Sequence, residues 1–159
     1  MTFEDWIFSL HLLFAATLVG SLVMTWIVVV ALYRVDTADA TLSLNRVGMV
    51  GSAGIVVGLV GVISFGIWLA ILRAAFHPWD AWVIAAIVLW AIATVAVLRS
   101  FVEYARPVAK ARALVASREI GPNVELAALN RTSRGLVLRA LASAAVVLIV
   151  IDMIWKPGA

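Results

Sequence analysis

The sequence predicts an all-α membrane protein, folded as a bundle of four transmembrane helices. Of its 159 residues, 65% are hydrophobic and only 13% are charged, whereas a soluble domain is about 45–50% apolar and about 25% charged. A water-soluble globule of this size cannot bury so much apolar surface, so soluble, disordered and fibrous proteins are excluded. Four apolar runs are each long enough to cross a hydrocarbon core of about 30 Å. We therefore predict a multi-pass protein of a bacterial-type inner (plasma) membrane.

Charged residues or turn signals bound the four apolar runs. The first run follows Glu4 and Asp5 with no lysine or arginine before it. It therefore lacks the basic start of a secretory signal, and we expect it to be retained. The four predicted helices cover residues 6–33, 47–72, 81–98 and 135–155. Within a membrane, a helix satisfies all of its backbone groups internally, so a single transmembrane domain spanning the whole chain is expected.

The basic residues predict how the helices are oriented. Ten of the twelve lysines and arginines lie between the first and second helices, between the third and fourth, or one turn into the fourth. The other two are Arg73 and Lys156. The positive-inside rule then places both termini outside and the basic segment 99–134 in the cytoplasm. Tryptophans near the outer helix ends, and Tyr33 and Tyr104 at the inner ends, fit interfacial aromatic belts.

The segment 99–134 is the longest stretch outside the predicted helices. Pro107 is expected to end the third helix near Ala105, and a basic, partly amphipathic helix follows. Asn123 is positioned to cap a short helix that ends near Leu129. Such basic stretches beside a membrane lie on anionic lipid headgroups, which we favour here over a docking site for a soluble partner. We therefore attribute the positive charge to membrane orientation and contact with lipid headgroups, and we expect no nucleic-acid partner.

Residue counts exclude several kinds of chemistry. Cysteine is absent, and histidine occurs only at His11 and His77. Disulfides, thiolate metal sites, iron–sulfur clusters and thiol catalysis are therefore excluded, as is a metal site with several imidazoles from one chain. No nucleophilic triad, nucleotide-binding glycine loop or metalloprotease motif occurs. We assign no catalytic residue.

The second predicted helix carries six of the ten glycines. Four of them fall within an arc of about 80°, namely Gly51, Gly54, Gly58 and Gly61. Each glycine destabilises a helix by about 1 kcal/mol relative to alanine, and close helix approach is the compensating gain in lipid. We interpret the stripe as packing within the chain, with Ala16-x-x-x-Gly20 as one partner. A seam between two copies and a flat cofactor against the backbone are the open alternatives.

The predicted topology brings the remaining ionisable groups to the outer side of the membrane. This outer cluster consists of His11, His77, Asp80 and Asp152. Ionisable residues inside a membrane mark functional sites by default. Three roles are open for His11: a structural hydrogen bond to another helix, ligation of haem or a metal, and a proton relay with Asp152. Asp152 can instead pair with Lys156 one turn later, and His77 fits a solvated loop.

Three stretches carry a family resemblance. Ile7–Met24, which includes His11, resembles the opening helix of the copper-resistance D-like superfamily of small helical membrane proteins. Trp79–Leu89 is similar to its tryptophan-led third helix, and Met153–Pro157 is similar to its common ending. The resemblance implies a four-helix protein, with haem-binding oxidase, copper-linked or unassigned branches, and it matches His11 to the first-helix histidine. The third helix here lacks the histidine and lysine of the oxidase branch, so the unassigned branch is nearest.

These observations together predict a small integral membrane protein that acts as a non-catalytic accessory, assembly or packing subunit. The alternative is a haem- or copper-linked redox or transport protein that uses His11. The expected partners are the lipid bilayer, other membrane subunits and a second copy of the chain.

Overall fold

The structure is a computed structural model that describes residues 2–73, 80–119 and 121–155. Every regular element in these ranges is an α-helix, which confirms the predicted all-α class. The elements are α1 (Phe3–Leu32), α2 (Ala38–Arg73), α3 (Ala81–Ala116), α4 (Val124–Asn130) and α5 (Ser133–Trp155). Four stretches of the described chain are long and apolar enough to cross a membrane: α1, α2, α3 and the stretch that contains α5. The orientation of these spans stays a prediction.

Two helices extend well beyond the predicted spans. α2 begins at Ala38 rather than at Val47, and α3 ends at Ala116 rather than at Leu98. Each helix has 36 residues and is about 54 Å long at 1.5 Å per residue, which exceeds a hydrocarbon core of about 30 Å. An apolar run predicts only the part of a helix that lies in lipid. The extensions continue as amphipathic helix, because their apolar residues are covered by other parts of the chain.

Pro107 lies inside α3, so the predicted helix end near Ala105 is wrong. A proline in a helix removes one backbone hydrogen bond and clashes with the preceding turn, which costs about 3 kcal/mol. The ring of Pro107 is fully buried and shares a face with buried Ser100 and Leu114, seven residues to either side. Burial of the ring on this face offsets part of the cost, and the helix continues.

The described helices form two compact units, which we name after their packing residues. The glycine unit comprises Met1–Val28 and Arg46–His77, and the alanine unit comprises Val29–Asn45 and Pro78–Ala159. Both α1 and α2 contribute to each unit.

The glycine unit is a pair of antiparallel helical segments from α1 and α2. Near one end, Val28 lies against Gly48. Near the other end, the rings of Phe3 and Trp68 meet edge to face, with centroids 5.8 Å apart. Between these points the glycines of α2 lie against residues of α1, so the two helices approach closely along the whole pair.

The membrane part of the alanine unit is the pair α3 and α5. Its buried seam is formed mainly by small residues: Ala93, Ala96 and Ser100 on α3, and Gly135, Ala142 and Ala145 on α5. The buried positions recur at intervals of three, four and seven residues, as in a coiled-coil seam. Small side chains at these positions allow close packing without a continuous glycine face.

A small hydrophobic core in the alanine unit joins the ends of α2 and α3 to α4. It consists of Ala38, Ala111, Leu114 and Leu126, with Leu42 packed against it. Leu126 and Ala111 have no exposed surface. The apolar face of the predicted basic segment is therefore used within the chain, while arginines such as Arg112 and Arg118 stay exposed.

Hydrogen bonds tie α4 to the turn after α1. Asn123 caps α4 as predicted: its Oδ1 accepts from the third backbone N–H of that helix at 2.9 Å. The backbone N–H of Asn123 donates to the Asp36 carbonyl at 2.9 Å. Nδ2 of the fully buried Asn130 donates to the Val35 carbonyl at 3.1 Å and to the Thr41 hydroxyl at 3.0 Å. The two predicted cytoplasmic connections are thus one folded structure.

Candidate functional site

His11 lies on the face of α1 that meets α2. Its Nδ1 is 3.1 Å from the carbonyl oxygen of Val62. A carbonyl only accepts, so Nδ1 carries a proton and donates it, which in a neutral ring leaves the lone pair on Nε2. Of the three roles that the sequence leaves open, the geometry displays the hydrogen bond to another helix.

Gly66 makes room for this contact. It follows Val62 by one turn on α2, and a Cβ built on it would lie 3.2 Å from Cε1 and 3.4 Å from Nδ1 of His11. In a close-packed interior, an alanine there would press the ring away from the carbonyl. Because residue 66 has no side chain, the imidazole reaches the backbone of α2.

The four predicted packing glycines are covered by α1. The facing pairs are Gly51–Thr25, Gly54–Ser21, Gly58–Leu18 and Gly61–Phe14. A Cβ on Gly58 would lie only 2.7 Å from the backbone nitrogen of Leu18, and backbone cannot move aside as a flexible side chain can. In this arrangement α1 of the same chain occupies the glycine face, which leaves no room there for a flat cofactor or a second copy.

The partner on α1 is not the predicted Ala16-x-x-x-Gly20 motif. Both of its residues are exposed, and a Cβ added to Gly20 would meet nothing within 4 Å in the described part of the chain. The glycines of α2 form a groove, and a groove is filled by larger side chains such as Leu18 and Phe14. Small residues on both helices are therefore not required.

The predicted outer cluster is described only in part, because His77 lies outside the described residues. His11 belongs to the glycine unit, whereas Asp80 and Asp152 belong to the alanine unit. A proton relay between His11 and Asp152 stays a prediction. Asp80 is the N-cap residue of α3, and its carbonyl accepts from the backbone N–H of Ile84 at 3.2 Å.

Asp152 is buried on the seam of α5. Its exposed fraction is 9%, and it extends the row of buried positions that includes Ala142 and Ala145. Its Oδ2 has no hydrogen-bond partner among the described residues. Lys156, the predicted ion-pair partner, lies outside the described residues. A buried carboxylate oxygen without a partner is costly. Asp152 therefore has an unsatisfied hydrogen-bond acceptor within a predicted span.

A second polar ring is held against a glycine, this time in the alanine unit. A Cβ on Gly135 would lie 3.1 Å from Cε2 and Cζ of Tyr104, so the ring depends on the missing side chain. Arg139 follows Gly135 by one turn on α5. Its guanidinium carbon lies 5.0 Å from the centroid of the Tyr104 ring, which is cation–π geometry.

Each residue of this pair has one buried polar atom without a partner. Neither Tyr104 Oη nor Arg139 Nε has a hydrogen-bond partner among the described residues. The nearby hydroxyl of Tyr33 differs, because it donates to the Thr132 carbonyl at 3.2 Å. The sequence assigns Tyr33 and Tyr104 to an interfacial belt and Arg139 to topology. Sequence reasoning misses that Gly135 and Arg139, one turn apart on α5, both face an aromatic residue. This can be seen only when the register of α3 against α5 is known.

The chain has no significant match among family models, curated proteins or solved structures. The resemblance to the copper-resistance D-like superfamily therefore stays a prediction.

That resemblance implies haem or copper, and the described side chains show where either group could fit. No group of three or more histidine, cysteine, aspartate or glutamate residues in the described ranges could hold a metal ion. A haem lying on the glycine face does not fit, because Phe14 and Leu18 fill that face. In a neutral ring, Nε2 of His11 has the lone pair of a metal ligand.

Proposed function

We propose that this protein is a non-catalytic accessory or assembly subunit of a bacterial-type inner membrane. The observation that supports this proposal most is the bond from His11 to the Val62 carbonyl. Such bonds between membrane helices contribute about 0.6–2 kcal/mol, which makes the imidazole a structural link between α1 and α2. α1 of the same chain likewise covers the glycine face. His11 and the packing glycines therefore lie at the interface between α1 and α2 in the glycine unit.

The surface left for partners is apolar and faces lipid. α1 exposes large side chains such as Ile27, and α2 exposes Val57 and Ile71. Lipid tails are as apolar as these side chains, so association in the membrane depends on shape and close approach. The exposed Ala16 and Gly20 of α1 permit close approach by another membrane subunit or a second copy.

Anionic lipid headgroups are the second class of partner in this proposal. The extension of α3 and the residues after it expose several arginines: Arg99, Arg106, Arg112 and Arg118. Each basic residue near an anionic surface contributes about 1 kcal/mol of attraction. This attraction favours the inner leaflet and agrees with the predicted orientation.

Native mass spectrometry of the protein released from its own membrane in lipid-preserving particles tests the proposal. An accessory subunit is expected at a mass that is not an integer multiple of the 17.1 kDa chain. Integer multiples would instead identify a packing oligomer of this chain alone. A monomer of 17.1 kDa as the sole species, under conditions that preserve other membrane complexes, would contradict an accessory role.

The alternative is a haem- or copper-linked protein of the copper-resistance D-like superfamily. The specific observation in its favour is that Nδ1 of His11 donates to a carbonyl, as in many metal-bound histidines, whose ring is oriented in this way. The absorption spectrum of the purified protein decides this case. A Soret band that is lost in His11→Ala would support it. A colourless protein whose thermal stability is unchanged by added haem or copper would contradict it.

A further inference from the structure

We infer that the alanine unit binds a phosphate group at Arg139 and Tyr104. This inference goes beyond the accessory role and does not depend on it. Its basis is the geometry of two side chains on α3 and α5, each of which has one buried donor, Tyr104 Oη and Arg139 Nε, without a hydrogen-bond partner among the described residues.

Arg139 forms no ion pair among those described. The Arg139 side chain is half-buried, and a partly desolvated guanidinium is stabilised by a counter-charge, for which a cation–π contact is only a partial substitute. Glu103, the carboxylate nearest to Tyr104 along α3, pairs with Arg106 at 3.4 Å, and Glu125 pairs with Lys110. Neither described ion pair therefore supplies a counter-charge to Arg139, which leaves the guanidinium available to an external anion.

The donors of Arg139 and Tyr104 indicate the shape of the ligand. A guanidinium presents parallel N–H groups that match two oxygens of one phosphate or carboxylate. The hydroxyl of Tyr104, which shares the site, can donate to a further oxygen. A phosphate has more oxygens than a carboxylate and accepts from both side chains at once. The pair Arg139 and Tyr104 therefore favours phosphate.

Arg139 is the seventh residue of α5, about 9 Å from the start of the helix. In the predicted orientation, this is the depth of the cytoplasmic headgroups, where anionic lipid phosphates are concentrated. Arg134, the second residue of the same helix, and Arg131, the C-cap residue of α4, are both exposed. A lipid headgroup and a free phosphate ion offer the same oxygens, so the source is decided by experiment.

Retention of lipid in native mass spectrometry tests the inference. The purified full chain in detergent is offered phosphatidylglycerol, or diacylglycerol as a lipid without phosphate. We expect one phosphatidylglycerol per chain and no retained diacylglycerol. In Arg139→Gln the affinity for phosphatidylglycerol should fall about tenfold or more, as for the loss of a charge-assisted hydrogen bond. The matched control is Arg134→Gln, which removes the same charge from an exposed position and should retain the lipid.

Two further measurements separate the sources and guard against misfolding. Millimolar inorganic phosphate displaces the lipid if the site takes the free ion, and leaves it bound if the acyl chains contribute. Tyr104→Phe keeps the ring and the fold, and should weaken retention less than Arg139→Gln does. The inference is overturned if the two arginine variants lose lipid equally, if Arg139→Gln binds as tightly as the unmodified chain, or if diacylglycerol is retained equally well. If Arg139→Gln does not fold, unchanged retention in Tyr104→Phe overturns it.

Discussion

The glycine unit and the alanine unit share one packing feature but differ in its hydrogen bonding. Each holds a polar ring against a glycine of the neighbouring helix: His11 against Gly66, and Tyr104 against Gly135. In the glycine unit, the ring nitrogen donates to a backbone carbonyl of the facing helix. In the alanine unit, the ring hydroxyl and the guanidinium of Arg139 above it keep buried donors without described partners. A glycine opposite a polar ring thus shows where the ring packs. The hydrogen bonds that the ring makes then distinguish a structural link from a candidate binding site.

The two units also differ in what holds them together. The glycine unit depends on close helix approach in lipid, where burial of apolar surface gives no drive between helices. The alanine unit has, in addition, the core around Leu126, which in the predicted orientation faces the cytoplasm and is stabilised by removal of apolar surface from water. Four predictions test this comparison, in order of decreasing expected effect.

The largest effect is expected for Leu126→Ala. It removes a side chain with no exposed surface, and such changes reduce the free energy of unfolding by about 2–5 kcal/mol. Hydrogen exchange should become fast at the amides of α4 while those of the glycine unit stay protected. Val124→Ala is the matched control, because Val124 is 89% exposed on the same helix. Unchanged protection of α4 in Leu126→Ala would show that the core does not hold this helix.

The next effect is expected for Gly58→Ala, which tests close approach. Its Cβ would lie 2.7–2.9 Å from the backbone and Cβ of Leu18, so the helices must separate, at a cost of about 1–3 kcal/mol. Gly20→Ala is the control, because a Cβ at Gly20 meets open space. Both can be measured as the free energy of unfolding in mixed micelles. Equal effects of the two substitutions would contradict packing of Gly58 against α1.

A smaller effect is expected for the His11 bond. His11→Ala and Gly66→Ala should each cost about 1 kcal/mol, because both remove the same contact with the Val62 carbonyl. The double variant should therefore cost little more than either single one, and the coupling measured in a double-mutant cycle should be substantial. Strictly additive effects on unfolding would show that Gly66 does not position the ring.

The smallest effect is expected for Tyr104→Phe in detergent without lipid. The hydroxyl has no partner in the described chain, so its loss should change the free energy of unfolding by less than about 0.5 kcal/mol. Tyr33→Phe is the comparison, because it removes a hydrogen bond to the Thr132 carbonyl and should cost about 1 kcal/mol. A larger loss in Tyr104→Phe would mean that the hydroxyl is already satisfied within the protein.

The sequence predicts those features that depend on local composition. The four spans follow from apolar runs, and the cap at Asn123 follows from residue type and position. The early start of α2 at Ala38 does not, because a polar, amphipathic extension becomes helix only when α4 covers its apolar face. Pro107 is misjudged for the same reason, since its cost depends on burial that only the tertiary structure supplies.

The candidate sites show the same division. His11 stands out because an imidazole in an apolar run requires a partner, yet its partner is a backbone carbonyl that any sequence would offer. Tyr104 and Arg139 do not stand out, since residues of both types are common near helix ends in membranes. Their importance comes from the register of α3 against α5, which short sequence patterns do not contain.

The bonds from Asn130 to the turn after α1 set an order of events during synthesis. Asn130 and Val35 are 95 residues apart, and a ribosome adds about 5–20 residues per second. The hairpin of α1 and α2 can close in the membrane as soon as α2 has emerged. Counted from the synthesis of Val35, the turn beneath it waits roughly 5–20 s for Asn130, at these rates of elongation. During that interval, the carbonyl of Val35 and the start of α2 are open to water and to the insertion machinery. The short helix α4, which contains Asn130, thus completes the fold of the first connection.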